Sequence, residues 1–219
     1  VVLSSTVTEN TFNIVQCTGV GTLSLVLRGD EYHALQWGAP FDGATADNVG
    51  LNNIIAYVDS LGGGVVNLPN KAGFVDGSII IPENNFNSGI EIVGKGFSTS
   101  IKNKAAAGIP TVELGQSGDT DAARRFCKLR KFRITADTSF PNKGIELNKG
   151  RFFDLEDMIV SANGTSIDIQ GSVLCNLTNI DIWPDASGST GTAGIGINIE
   201  SNQDGTTTTA LSNVFVNDG

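Results

Sequence analysis

Leu129-Arg130-Lys131-Phe132-Arg133-Ile134 returns as Leu155-Glu156-Asp157-Met158-Ile159-Val160, as Leu177-Thr178-Asn179-Ile180-Asp181-Ile182, and as Leu211-Ser212-Asn213-Val214-Phe215-Val216. The spacings are 26, 22 and 34 residues. A second motif alternates with it: Ile90-Glu91-Ile92, Val112-Glu113-Leu114, Ile145-Glu146-Leu147, Ile167-Asp168-Ile169 and Ile197-Asn198-Ile199, at spacings of 22, 33, 22 and 30. A sandwich does not hold two strand types in fixed order at a common minimum period. An all-β, right-handed parallel β-helix does. Each rung of ~22 residues supplies two or three short strands, and rungs stack ~4.8 Å apart. The variable excess forms loops at the turns. Phe132, Met158, Ile180 and Val214 then make one inward apolar stack.

Working outward, residues 48–61 carry the one helical pattern. Leu51, Ile54, Ile55, Val58 and Leu61 form an apolar stripe. Asp47 is placed to cap its start, and Gly62-Gly63-Gly64 to stop it. The helix is expected to cap the N-terminal end of the solenoid and cover an unpaired edge. Residues 1–35 read as a small strand-rich neck, with strands at Thr6–Thr8, Phe12–Val15 and Leu23–Leu27. Arg28-Gly29-Asp30 spells an integrin-ligand tripeptide and reads as a charged turn. Residues 36–103 are the opening of the β-helix and 104–219 its rungs, which are expected to continue beyond the last residue.

Composition narrows the function. The 219 residues are 40% hydrophobic and 17% charged, with 27 glycines. That suits a turn-rich globular fold and excludes disorder and helical bundles. No apolar run approaches the ~20 residues of a membrane span, and no signal peptide opens the chain. A net charge of −9 argues against nucleic acid as a partner. Three cysteines and one histidine argue against a disulfide scaffold, a zinc site and a Ser-His-Asp triad. Carboxylates are left for acid–base chemistry.

The central residue of the second motif points outward if its neighbours point inward. Glu91, Glu113, Glu146, Asp168 and Asn198 would form one external ladder. Adjacent carboxylates at ~5 Å and second neighbours at ~10 Å bracket the separations of retaining and inverting glycosidases. Glu146 and Asp168 are the best catalytic pair, being one minimal rung apart. The bland alternative is a solvated strand face. Glu156, Asp157, Asp181 and Asp185 are a second acidic set near a turn. Arg124, Arg125, Lys128, Arg130, Lys131 and Arg133 form a basic cluster. Arg130, Lys131 and Arg133 are candidates for binding anionic sugars, against charge compensation as the alternative. Trp183, Trp37, Phe152 and Phe215 are candidates for stacking on sugar rings, against core or corner packing as the default. Cys127 and Cys175 fall two rungs apart, beyond disulfide reach.

Phe41-Asp42-Gly43-Ala44-Thr45-Ala46-Asp47, the helix, Gly62-Gly63-Gly64-Val65-Val66-Asn67-Leu68-Pro69 and Ile90-Glu91-Ile92-Val93-Gly94-Lys95-Gly96 resemble the opening of the pectate-lyase-like β-helix superfamily. Two features depart from that pattern: Asn48 replaces a second Asp, and only Gly73-Phe74 stands for the usual Gly-Thr-Tyr. Tailed-phage tailspikes share this opening. The resemblance implies a homotrimer on a virion tail that recognises and cleaves bacterial capsule or O-antigen, with no cofactor required. Two alternatives share the fold: a non-catalytic polysaccharide-binding tail protein, and a cellular lyase or epimerase acting on a uronan. A lyase of that kind would hold Ca²⁺ between acidic side chains; no other metal is implied.

Overall fold

A computed structural model describes residues 7–9, 15–17, 31–82, 89–115, 125–136, 142–148, 151–171, 173–184, 194–200 and 209–217. Near the N-terminus, β1 (Val7–Glu9) and β2 (Val15–Cys17) pair antiparallel. The expected strand at Leu23–Leu27 and the Arg28-Gly29-Asp30 turn lie outside the described residues. β3 (Glu31–His33) pairs parallel with a later strand, so the solenoid begins inside the segment assigned to the neck.

The helix α1 runs Asn48–Ser60, as its stripe predicts. Leu51, Ile54, Ile55 and Val58 are fully buried, each worth about 2 kcal/mol of apolar burial. Leu61 departs from the expectation: it follows the last helical turn and is 52% exposed. Asp47 departs too, since its carboxylate makes no capping bond to the helix. It accepts instead from the backbone N–H of Phe41 at 2.8 Å and of Phe74 at 3.0 Å. Gly73 makes room for this clasp, because a Cβ there would lie 2.2 Å from the Asp47 carboxylate and 2.7 Å from the Phe41 ring. Gly62, at φ 92°, ends the helix by donating to the Asp59 carbonyl.

Three strands per rung then wind through β4 (Gly63–Asn67), β5 (Ala72–Val75) and β6 (Ile79–Ile81). The next rungs are β7 (Gly89–Val93), β8 (Ser100–Asn103) and β9 (Pro110–Leu114), then β10 (Arg125–Arg130), β11 (Arg133–Ala136) and β12 (Lys143–Asn148). β13 (Arg151–Ala162) and β14 (Thr165–Gln170), β15 (Val173–Pro184) and β16 (Ile195–Glu200), and finally β17 (Thr209–Val216) complete them. All pairing between rungs is parallel. β4, β7 and β10 build a first face with the opening halves of β13, β15 and β17. β5, β8 and β11 build a second face with the closing halves of those long strands. β6, β9, β12, β14 and β16 are the third face. The chain is an all-β right-handed parallel solenoid with one N-terminal helix.

Leu129, Leu155 and Leu177, then Phe132, Met158 and Ile180, then Ile134, Val160 and Ile182, are buried to within 1% exposure. Met158 pairs with Ile180, and Ile180 with Val214, in the register the motif predicts. In β17, which has a rung on one side only among the described residues, Leu211 and Val216 are half-exposed. Cys127 and Cys175 are buried and form no disulfide with each other, with Phe153 in the rung between them. At the corner between the first and second faces Lys131, Asp157, Asn179 and Asn213 all take the left-handed conformation, at φ 53–60°. Short polar side chains tolerate it. Asn179 donates to Asp157 at 2.9 Å and Asn213 to Asn179 at 3.0 Å, so the corner is zipped along the axis.

Candidate functional site

The third face carries the expected acid ladder with one correction. Glu113, Glu146, Asp168 and Asn198 stand in register, one per rung. Glu91 does not join them. It lies on the first face opposite Lys128, and Ile80 takes the lowest ladder position. An apolar–acid–apolar triplet satisfies the period of two on any face, so the triplet alone does not choose one.

Nor is the ladder a solvated row, since Glu146 is 6% exposed and Asp168 3%. Lys143 bridges them, with Nζ 2.5 Å from Glu146 and 2.7 Å from Asp168. Asn148 donates to Glu146, and Gln170 and Asn198 to Asp168, each at 3.0 Å. Burial pushes the Asp168 carboxyl up, but the hydrogen bonds from Lys143, Asn198 and Gln170 outweigh it and hold the group below its ordinary range. Burial likewise pulls Lys143 down, and its two carboxylate partners more than reverse that. A general acid needs a proton near neutral pH. This carboxylate is held as an ion, in a mutually satisfied cluster. The Lys143 ammonium also occupies the position between the carboxylates that a calcium ion would need, so the donor set does not fit one.

The basic cluster is partly neutralised on the first face. Arg130 pairs with Glu91 and Lys128 with Glu156, each across adjacent rungs. Lys131 and Arg133 are exposed at and beyond the corner. The side chains of Arg124 and Arg125 lie outside the described residues. The second acidic set is dispersed rather than joined. Glu156 is on the first face, Asp157 forms the corner, Asp181 is on the second face, and Asp185 lies outside the described residues.

Among the described residues, two of the outward grooves are bordered by exposed aromatic rings. On the second face, Ile159, Asp181 and Phe215 are successive rungs of one column. Trp183, 46% exposed, follows Asp181 by two residues and shares its outward side. With Phe97, 53% exposed, and Phe215, 64% exposed, it borders a groove of about 360 Å³ that includes Asp181. Asn217 donates to the Asp181 carboxylate and fixes it. On the first face, a groove of about 480 Å³ runs past Glu91, Lys128 and Asp154 beneath the rings of Phe126 and Phe152. Those rings stack at 5.0 Å and 8° between planes. Trp37, by contrast, packs on Tyr57 at 4.8 Å, against the core and the capping helix, and is not part of either groove.

Sequence reasoning missed Phe97, Phe126 and Leu174. Phe126, Phe152 and Leu174 stand three residues before Leu129, Leu155 and Leu177. That constant offset is a repeat signal that would have found two of them. Among the described residues no group of three or more His, Cys, Asp or Glu could hold a metal, and no helix is long and apolar enough to cross a membrane.

No protein-family model matches the chain, and no curated protein matches it. Solved structures do. A Geobacillus virus E2 protein, ORF18, is 21% identical with a TM-score of 0.58, over 70% of this chain and 37% of its own. Tailspike protein 3 of bacteriophage CBA120 is 16% identical at a TM-score of 0.41, over 71% of this chain and 30% of its own. The A-module of the Azotobacter vinelandii mannuronan C-5 epimerase AlgE4 is 11% identical at 0.30, over 85% and 95%. The chain thus spans little more than a third of the viral protein that it resembles best in TM-score among these three. With its strand order and register, the chain is a right-handed parallel β-solenoid, similar in fold to the Geobacillus virus E2 protein.

Proposed function

We propose that this chain is a polysaccharide-binding segment of a phage tail receptor-binding protein, working as a homotrimer on bacterial capsule or O-antigen. The groove around Asp181 carries the reading. Three exposed aromatic side chains, Phe97, Trp183 and Phe215, border one held carboxylate on the side of a rigid solenoid. Aromatic faces meet the C–H faces of sugar rings, and a fixed polar group sets the orientation through hydroxyls. A sheet face suits an extended chain ligand because successive rungs repeat along it. Binding is favoured over cleavage, since the best-placed carboxylate pair, Glu146 and Asp168, is buried and neutralised by Lys143.

The test is affinity electrophoresis of the full chain through gels cast with purified capsular and O-antigen polysaccharides, with the same polysaccharides assayed for reducing ends and for absorbance from new double bonds. Retardation by at least one polysaccharide, abolished by Trp183→Ala, with neither product formed, is expected. Retardation that survives Trp183→Ala refutes the site. Release of reducing ends by the wild-type chain refutes the binder and returns the search to the acids at Asp157 and Asp181; unsaturated products do the same.

A further inference from the structure

Phe126, Phe152 and Leu174 occupy one column at the corner between the third and first faces, with φ of 61°, 61° and 60°. The other left-handed corner follows conformational preference at three of its four positions, Asp157, Asn179 and Asn213. This one is filled by bulky apolar residues that resist the left-handed region. They are not there to fill the core: Phe126 is 58% exposed, Phe152 39% and Leu174 40%. Stacking of Phe126 on Phe152 offsets only part of the cost of holding exposed apolar side chains on strained backbone, and such residues gather at ligand sites.

The column is also interrupted. Its lower positions, in register below Phe126, are Gly89 and Gly63. Gly63 is at φ 116°, and a Cβ on it would lie 2.4 Å from the Gly89 carbonyl oxygen, so the backbone requires glycine there. Gly89 is different. Its φ is outside the left-handed region, and a Cβ would meet the Phe126 carbonyl at 3.0 Å, tight but not prohibitive. The result is a ladder of parallel rings that stops at Phe126, whose lower face looks over a floor of bare backbone. The adjoining column supplies polar groups along the edge of that space: Glu91, Lys128 and Asp154. Asn176 continues it and donates to Asp154 at 2.8 Å.

We propose that this groove is a second saccharide site, in which one uncharged pyranose ring lies over Gly89 and stacks on Phe126 as the next member of the ladder. The ring's C–H face meets the phenyl face, and its hydroxyl edge meets Glu91, Lys128 and Asp154. The spacing of stacked rungs, ~4.8 Å, is also that of a sugar packed on an arene. The polar edge is what selects a pyranose over a plain arene. The volume, about 480 Å³, leaves room for a glycosidic neighbour along the axis. The ligand class rests on the polysaccharide reading above; the site itself rests on the first face alone.

The experiment is an amide and indole NMR titration of the ¹⁵N-labelled full chain with methyl glucoside, methyl galactoside and methyl rhamnoside, with phenol as the arene control. At least one glycoside should shift the Gly89, Ile90 and Phe126 amides. Phe126→Gly, which removes the ring and relieves the backbone, should keep the fold and weaken that binding about tenfold or more. It should leave any shift of the Trp183 indole in place. Phe126→Asn, also tolerant of the left-handed region, repeats the test should the glycine variant misfold. Trp183 responding while Gly89 stays still overturns this inference and leaves the proposed function standing. Shifts around Gly89 that persist in both variants overturn it as well, and so does a response there to phenol but to no glycoside. No response at either groove overturns the saccharide class for both.

Discussion

Lys143→Met removes the ammonium that joins Glu146 to Asp168 while keeping most of the stem's packing volume. The carboxylates' side chains are 8% and 4% exposed, and the lysine's is 27%. With Nζ within 2.7 Å of each, their oxygens lie about 5 Å apart at most. Two unit charges at that distance repel by about 3 kcal/mol at an effective dielectric near 20. Removing one partner of a buried ion pair costs ~3–5 kcal/mol, and the partial exposure of Lys143 argues for the lower end. A loss of about 3 kcal/mol at pH 7 is expected, a large share of the ~5–15 kcal/mol that keeps a domain folded.

The pH dependence separates this from a simple packing defect. In the wild type, Asp168 is held below its ordinary range, so its contribution to stability is present above 3.8 and lost as pH falls through the lowered folded value. In the variant the two carboxylates repel, so one is pushed above its unfolded value. That raised group favours the folded state fully below about 4 and loses its contribution as pH rises. The two stability curves therefore converge on acidification. Urea unfolding at pH 7 and pH 4.5, followed by circular dichroism, should show a deficit that shrinks by more than half. Adding Asp168→Asn should recover part of the loss at pH 7. An equal deficit at both pH values, or none at pH 7, would refute the role given to Lys143 in holding the two acids together.

Met158→Asp puts a carboxylate at a fully buried point of the inward stack; a loss above about 4 kcal/mol or outright insolubility is expected, and wild-type stability would mean that the inward assignment is wrong. Asp47 behaves opposite to Asp168: burial, against the N–H groups of Phe41 and Phe74, pushes its carboxyl up from 3.8 to about 6. Its contribution is full below 3.8 and drains as pH rises through about 6, a change of about 3 kcal/mol. The stability gap between wild type and Asp47→Ala in urea titrations should therefore be wider at pH 4 than at pH 8, and a gap that narrows on acidification would contradict it.

Sequence made the core legible because an inward position is constrained twice, by the period of two within a strand and by the recurrence of the rung. Leu129, Phe132 and Ile134 meet both constraints, and so do their copies. Glu91 met only the first. Its correct face depends on Gly94, where a Cβ would strike the Lys131 carbonyl at 2.2 Å and which therefore marks the corner. Lys143 was hidden by parity. Residues three apart in a strand point to opposite faces, yet its long stem, starting at the first residue of β12, reaches both carboxylates. Asp47 was read as a local cap because its partners lie outside the helix, the Phe41 N–H before it and the Phe74 N–H 27 residues beyond. Trp183 is exposed rather than packed at its corner, since a residue beyond the last inward position of a strand has little to pack on.

In a solenoid every rung repeats the same inward task, so differences between rungs are informative mainly on the outside. The three faces here use their outward positions differently. The third spends the charges of Glu146 and Asp168 on Lys143. The first crosses its rungs with Arg130–Glu91 and Lys128–Glu156 pairs, which lock the register of parallel strands whose backbone bonds alone tolerate slippage. Large rings exposed without such a partner occur where the second face begins and ends, at Phe97, Trp183 and Phe215, and at the Phe126 corner. Exposed aromatics carry a cost in apolar hydration that the fold does not need, since all lie outside the apolar core that closes around Met158. Under the saccharide-binding reading proposed above, selection on a surface ligand accounts for rings in these places; selection on stability alone would favour the Asn and Asp that already serve the neighbouring corner.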